Sequence, residues 1–140
     1  MFLISTEAKV KSGKTNLIAI SNIAYGETSL LLRKVEITSP TPLIARGFFS
    51  KIRDITDGED ISDLIVNSRP THSVPPHGEV SINLSVQEEG LELVKSSYMK
   101  EKEFVGEADG IQLDVQGAFI VQVESQNGGR VLVNLIFDFI

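Results

Sequence analysis

The strongest constraint in this chain is the two-residue rhythm of its last thirty positions. Over residues 111–140, Ile111, Leu113, Val115, Phe119, Val121 and Val123 alternate with Gln112, Asp114, Gln116, Gln122 and Glu124. Successive side chains on a strand point to opposite faces, so this segment has one apolar and one wet face. Asn127-Gly128, with Gly129 beside it, is what a tight reversal asks for, because both central residues need positive φ. Val131, Val133, Leu135, Phe137 and Phe139 then share a face on the return. The segment reads as a long antiparallel β-hairpin and sets the class as all-β.

The rest of the chain repeats the pattern. Phe2, Ile4, Ala8 and Val10 alternate with Leu3, Ser5, Glu7 and Lys9, a strand with one imperfect polar face. Lys11-Ser12-Gly13-Lys14 reads as a turn, and residues 16–24 as a strand apolar on both sides at Leu17-Ile18-Ala19-Ile20. After Tyr25-Gly26-Glu27-Thr28, residues 30–37 run back until Pro40 and Pro42, which cannot donate to a ladder, end that strand. Residues 43–49 predict a further strand. Between 50 and 78 the rhythm lapses, and Asp57 or Asp60 is placed to cap a short helix through Ile61, Leu64 and Ile65. Val80, Ile82, Leu84 and Val86 then face in, with Ser81, Asn83, Ser85 and Gln87 out. Leu91, Val94 and Tyr98 have helical spacing, so 88–110 reads as helix or loop, with an edge strand as the alternative.

These elements predict one domain over 1–140, an antiparallel β-sandwich of seven to nine strands with an irregular excursion at 50–78 and room for one short helix. Hydrophobic residues at 41% suffice for a core, and a chain of this length buries roughly 68% of its unfolded surface. There is no cysteine, so neither a disulfide framework nor a thiolate metal site is available. The net charge of −6 argues against phosphate-backbone binding, which needs a basic footprint. The first ten residues lack the basic lead and apolar run of a signal peptide. No stretch approaches the ~20 apolar residues of a membrane span. As written the chain reads as cytoplasmic, with cell surface or virion the reading for a trimmed or assembled protein.

Ile20-Ser21-Asn22-Ile23-Ala24-Tyr25-Gly26-Glu27-Thr28, followed by Leu30-Leu31-Leu32-Arg33-Lys34-Val35-Glu36-Ile37, resembles the second and third strands of microbial immunoglobulin-like modules. In those modules a strand ending in Asn passes through a small turn into a run of aliphatics. Val74-Pro75-Pro76-His77-Gly78-Glu79-Val80 is similar to their proline-glycine lead into a later strand. The resemblance covers about a third of the chain, and the 50–78 and 88–110 stretches depart from it. It implies an immunoglobulin-like sandwich and a non-catalytic role in a surface, adhesive or filament protein.

Reaction motifs are incomplete. Ala8-Lys9-Val10-Lys11-Ser12-Gly13-Lys14-Thr15 fits a relaxed phosphate-loop pattern, and Leu135-Ile136-Phe137-Asp138 resembles its magnesium-binding run. However, a phosphate loop opens a helix, and a strand-like segment follows here, so the stretch reads as a turn. Asp54, Asp57, Glu59, Asp60 and Asp63 are candidate oxygen ligands for a hard cation, with a solvated loop as the plainer reading. His72 and His77, with a nearby carboxylate such as Glu79, are the start of a metal site, but no further ligand is evident and exposed loop histidines are the plainer reading. No Gly-x-Ser-x-Gly elbow is present. Without Trp, and with only Tyr25 and Tyr98, aromatic platforms for sugars are scarce; adjacent Phe48 and Phe49 point to opposite faces and read as core. Asn83-Leu84-Ser85 is a glycosylation sequon.

One pattern remains. Leu132, Ile136 and Ile140 sit on the second face of the final strand, and Ile18 and Ile20 on the second face of another. A sandwich leaves its outer face polar, so something covers these residues: the chain's own 50–78 or 88–110 segments, or another subunit. The expected function is therefore a non-catalytic interaction or assembly module meeting a protein partner or a second copy through a sheet face or edge. The alternative is a ligand- or cation-binding accessory domain using the 50–78 loops. Neither a cofactor nor a small-molecule ligand is indicated.

Overall fold

In the computed structural model, described over residues 1–23, 28–67, 78–87, 90, 92–105 (backbone) and 110–139, every strand pairing is antiparallel. The strands are β1 (Phe2–Val10), β2 (Gly13–Asn22), β3 (Leu30–Lys51), β4 (Ile55–Thr56), β5 (Glu59–Asp60), β6 (Val66–Asn67), β7 (Gly78–Val86), β8 (Glu92–Val105), β9 (Ile111–Leu113), β10 (Gly117–Ser125) and β11 (Gly129–Phe139). They form a curled sheet in the order β4-β7-β2-β10-β3-β11-β1-β6, with β5 on β7 and both β8 and β9 on β3. The all-β class is as the alternation predicts.

The predicted C-terminal hairpin is corrected. Among the described residues no ladder joins β10 to β11; β10 lies between β2 and β3, and β11 between β1 and β3. The register explains why. Phe2 to Val10 face Phe137 to Gly129, and Gly13 to Ser21 face Ser125 to Ala118. Thus β1–β2 and β10–β11 are two long bent strands paired along their whole length, with a corner where Lys11 and Ser12 face Gln126, Asn127 and Gly128. The Asn-Gly chemistry is used, but to swing a strand and not to reverse it. Gly128 has φ +72° and passes so near β1 that a Cβ there would lie 2.7 Å from the Val10 carbonyl oxygen. Ser12 Oγ donates to Gln126 O at 2.7 Å and ties the two bends together.

The two strands predicted around Pro40 and Pro42 are likewise one, β3, which runs through both prolines. Its first half pairs with β11 as far as Thr38, and its second half pairs with β10 from Ile44. The prolines fall in the gap, at the bend, where neither ladder asks for an N–H. There Ser39 Oγ donates to Thr41 O at 2.7 Å. The helix or loop expected over 88–110 is also corrected. Residues 92–105 are strand β8, held along the other edge of β3 from Val35 to Phe48.

The bends fold the sheet over one main core drawn from β1, β2, β3, β7, β9, β10 and β11. Phe119 and Phe137 are its largest side chains, and Phe2 stacks on Phe137 at 5.5 Å. Closure is tight: a Cβ on Gly78 of β7 would lie 3.1 Å from the Phe137 ring and 3.3 Å from Leu30, both on the opposite half. Buried Asn22, at the end of β2, donates through Nδ2 to Leu113 O and Thr28 O, each at 2.9 Å. The 61–67 segment straps the curl shut. Ile61 N donates to Val80 O of β7 at 2.9 Å, and a few residues later Val66 pairs with Leu3 of β1. In place of the predicted short helix there is a single 3-10 turn, Ser62–Leu64, steadied by Asp60 Oδ1, which accepts from Ser62 N at 2.8 Å.

Candidate functional site

Folding the bent strands over one core leaves two outer faces, and the chain treats them differently. On the half built from β2, β10, β7 and the end of β3, the outward residues Ala19, Ile120, Phe48 and Leu84 are buried as a second cluster. The segment after β3 covers them. After β3 a 3-10 turn (Ile52–Asp54) leads into β4, whose Ile55 pairs with Val86 of β7, and both side chains pack on the cluster. Leu84 reaches this outer cluster while Val80 and Ile82 stay in the main core. The switch occurs at Asn83, which has φ +51°: one left-handed residue reverses the alternation. Beside the cluster, Asn16 Oδ1 accepts from Gln122 Nε2 at 3.0 Å, and Gln122 Oε1 accepts from Arg46 at 2.9 Å.

The other half, built from β6, β1, β11 and the start of β3, is uncovered among the described residues. Its cross-strand register places Val66, Leu3, Ile136 and Lys34 in one row across the four strands. Val66 is 61% exposed and Leu64, just before it on the strap, 49%. Leu3, Leu31, Leu132 and Ile136 are half-buried. Ser5 Oγ donates to Asn134 Oδ1 in the next row. Around this apolar row the charges are paired, Arg33 with Asp138, Lys34 with Glu36 at 3.4 Å and Arg130 with Glu7 at 3.7 Å. Burial alone raises the Asp138 pKa, but hydrogen bonds and charge from the Met1 ammonium and Arg33 outweigh it and hold the carboxyl below its ordinary value.

The predicted interface residues therefore divide. Leu132 and Ile136 lie half-buried on the uncovered face. Ile18 and Ile20 do not: both are in the main core, each 1% exposed. The cause is a bulge. Val121 of β10 faces Ile18 and Gln122 faces Asn16, so Leu17 is the extra residue and the β2 side chains after it change face. Ile140 lies outside the described residues. Leu3 and Val66 complete the surface, and only Leu3, as the apolar intruder on a polar face, gave a signal in the sequence.

The other candidates are not brought together. Asp54 is on the first 3-10 turn, Asp57 is exposed, Glu59 and Asp60 are on β5, and Asp63 is on the strap. Among the described residues no three carboxylates or histidines gather as a metal set. His72, His77 and Tyr25 lie outside the described residues, and Tyr98 is described only in its backbone. The two parts of the phosphate-loop pattern separate: Lys14 is at the corner, and Asp138 is nine residues beyond Gly129 on a strand, ~30 Å away. Asn83 is exposed. Phe48 is buried in the outer cluster and Phe49 packs on the main core, opposite faces as predicted. A hollow of about 410 Å³ between residues 51–53 and 115–117 has Lys51, Arg53 and Gln116 on its walls but no carboxylate or histidine to form an acid–base pair. No helix among the described residues is long and apolar enough to cross a membrane.

Comparison with models of known protein families, with curated proteins and with solved structures finds no match to this chain.

Proposed function

We propose that this chain is a non-catalytic interaction or assembly module, a component of a surface, filament or virion structure or of a larger complex. It meets a protein partner through the outer face of its β6–β1–β11 half. One observation carries the reading. The row Val66, Leu3 and Ile136 lies uncovered, among the described residues, on the outside of a sheet whose other half has its outer apolar residues packed under the chain's own β4 segment. Contiguous apolar surface of this kind marks an interaction site. The resemblance to microbial immunoglobulin-like modules supports the same role. On that view the two halves of the curled sheet act as the layers of an immunoglobulin-like sandwich, and the uncovered face is the outer surface of one layer.

Photo-crosslinking in the native host tests the reading. A photoreactive residue replacing Val66 is expected to capture a protein, and the same residue replacing Asn83, on the covered half, is not. Absence of protein crosslinks from position 66 rules the reading out.

A further inference from the structure

We propose that the hollow between residues 51–53 and 115–117 is a binding site for a small organic anion, a carboxylate or phosphate borne on an apolar body. Its walls carry two cations, Lys51 and Arg53, and the side-chain amide of Gln116. All three side chains are exposed, and among the described residues none of them makes an ion pair or a hydrogen bond. Arg33, Lys34 and Arg130, by contrast, each have a carboxylate partner. The acids nearest in sequence, Asp54 and Asp114, do not line the hollow. A guanidinium, an ammonium and an amide donor thus share one concavity with no anion to answer them. That set is complementary to an oxyanion: the guanidinium fork matches a carboxylate or phosphate edge, and the ammonium adds a point charge. Half-buried Ile52 and Val115 form the apolar part of the wall, and about 410 Å³ has room for a body the size of one ring.

The two walls are fastened to each other without a ligand. Lys51 pairs with Gly117 at the end of the β3–β10 ladder, and Ile52 N donates to Gln116 O at 3.2 Å. Gln116 N donates in turn to Asn22 O, at the end of β2, at 2.9 Å. Gly117 N donates to Asp114 O at 3.0 Å, which closes a four-residue turn with Gln116 in third place at φ +68°. Glycine or asparagine suits that place, and a longer side chain there is strained. The turn gains nothing from glutamine; the hollow gains a neutral donor beside two cations. The site lies at the end of β3 and the β9–β10 turn and shares no residue with the β6–β1–β11 face, so it stands or falls apart from the interaction reading.

Titration of the isotopically labelled full chain with phenyl phosphate and with benzoate, followed by amide NMR shifts, tests this. The expected result is a saturable shift confined to residues 51–53 and 115–117 and their neighbours, weakened by added salt. The anion that binds more tightly identifies the head group. Benzyl alcohol, with the same ring and no charge, should leave these amides unmoved. Lys51→Gln and Arg53→Gln should each weaken binding roughly three- to tenfold, as exposed charge-assisted contacts do. Gln116→Gly should weaken it by a smaller factor while the melting temperature holds or rises, because glycine relieves the turn. The absence of a saturable shift with either anion overturns the proposal, as does equal binding of benzyl alcohol or unchanged affinity in both charge variants. A Gln116→Gly chain that binds as tightly as the wild type overturns the part given to the amide.

Discussion

The two outer faces of the sheet are made by the same long strands and end in opposite conditions. β3 and the bent β1–β2 and β10–β11 pair cross both halves, so the backbone scaffold is shared. On one side of the bend Phe48 is 0% exposed under Ile55 and Val86; on the other, Val66 and Leu3 have no such lid among the described residues. What differs is the connection laid outside. Over its described residues, 52–67, the stretch after β3 spends its first part covering the β2–β10 face and its second part strapping β7 to β1. Those residues cover one face and only border the other. An apolar residue on an outer strand position is therefore not evidence of an interface until its lid has been looked for.

The contrast is broken most directly by truncating one residue on each face. Phe48→Ala leaves a cavity beneath the β4 cover and should cost ~3–5 kcal/mol, seen as a lower urea midpoint at unchanged slope. Ile136→Ala on the uncovered face should cost under ~1 kcal/mol when the protein is dilute, because its side chain is already half in water. Equal losses at the two positions would mean that the β11 face is covered after all.

A smaller effect belongs to the corner that both faces share. Gly128→Ala puts a Cβ within 2.7 Å of Val10 O and asks alanine to hold φ +72°, so one of the two bends has to shift. We expect a loss of ~1–3 kcal/mol. Gly13→Ala, at φ +93° on the facing bend and with nothing within 4 Å of a new Cβ, measures the conformational part. If Gly128→Ala proves no worse than Gly13→Ala, close approach of the two bent strands is not what the glycine serves.

Strand positions were legible in the sequence, and strand partners were not. Alternation located β1, β7 and β11, and β9 with β10 as a single strand, while a doubly apolar run located β2, because both patterns are local properties of the chain. Pairing is not local. Asn127-Gly128 carries turn chemistry whether the strand reverses or only bends, and the deciding fact is that Val10 of β1 lies against it. Pro40 and Pro42 mark a break in a ladder, but whether a strand stops or turns a corner depends on neighbours far along the chain. The face assignments failed at bulges, since one extra residue at Leu17 or one left-handed residue at Asn83 inverts every side chain beyond it. That is why Ile18 and Ile20 moved from a supposed interface into the core, while Leu132 and Ile136, on an unbulged stretch against β1, kept their predicted face.

The smallest expected effect tests whether the charges around the uncovered row act locally. The Asp138 carboxyl is held below its ordinary pKa by the Met1 ammonium and Arg33, against the opposing effect of burial. A depressed carboxylate stabilises the fold above its unfolded-state pKa of ~3.9, and that stabilisation is lost as pH falls through the lower folded-state value. Asp138→Asn should therefore be less stable than the wild type at neutral pH, and the difference should close below pH ~4. With Arg33 two-fifths exposed, solvent screening keeps the difference to a few tenths of a kcal/mol up to ~1 kcal/mol. Urea midpoints at the two pH values measure it, on dilute protein so that association does not contribute. A difference that persists unchanged at low pH would place the effect in packing and not in charge.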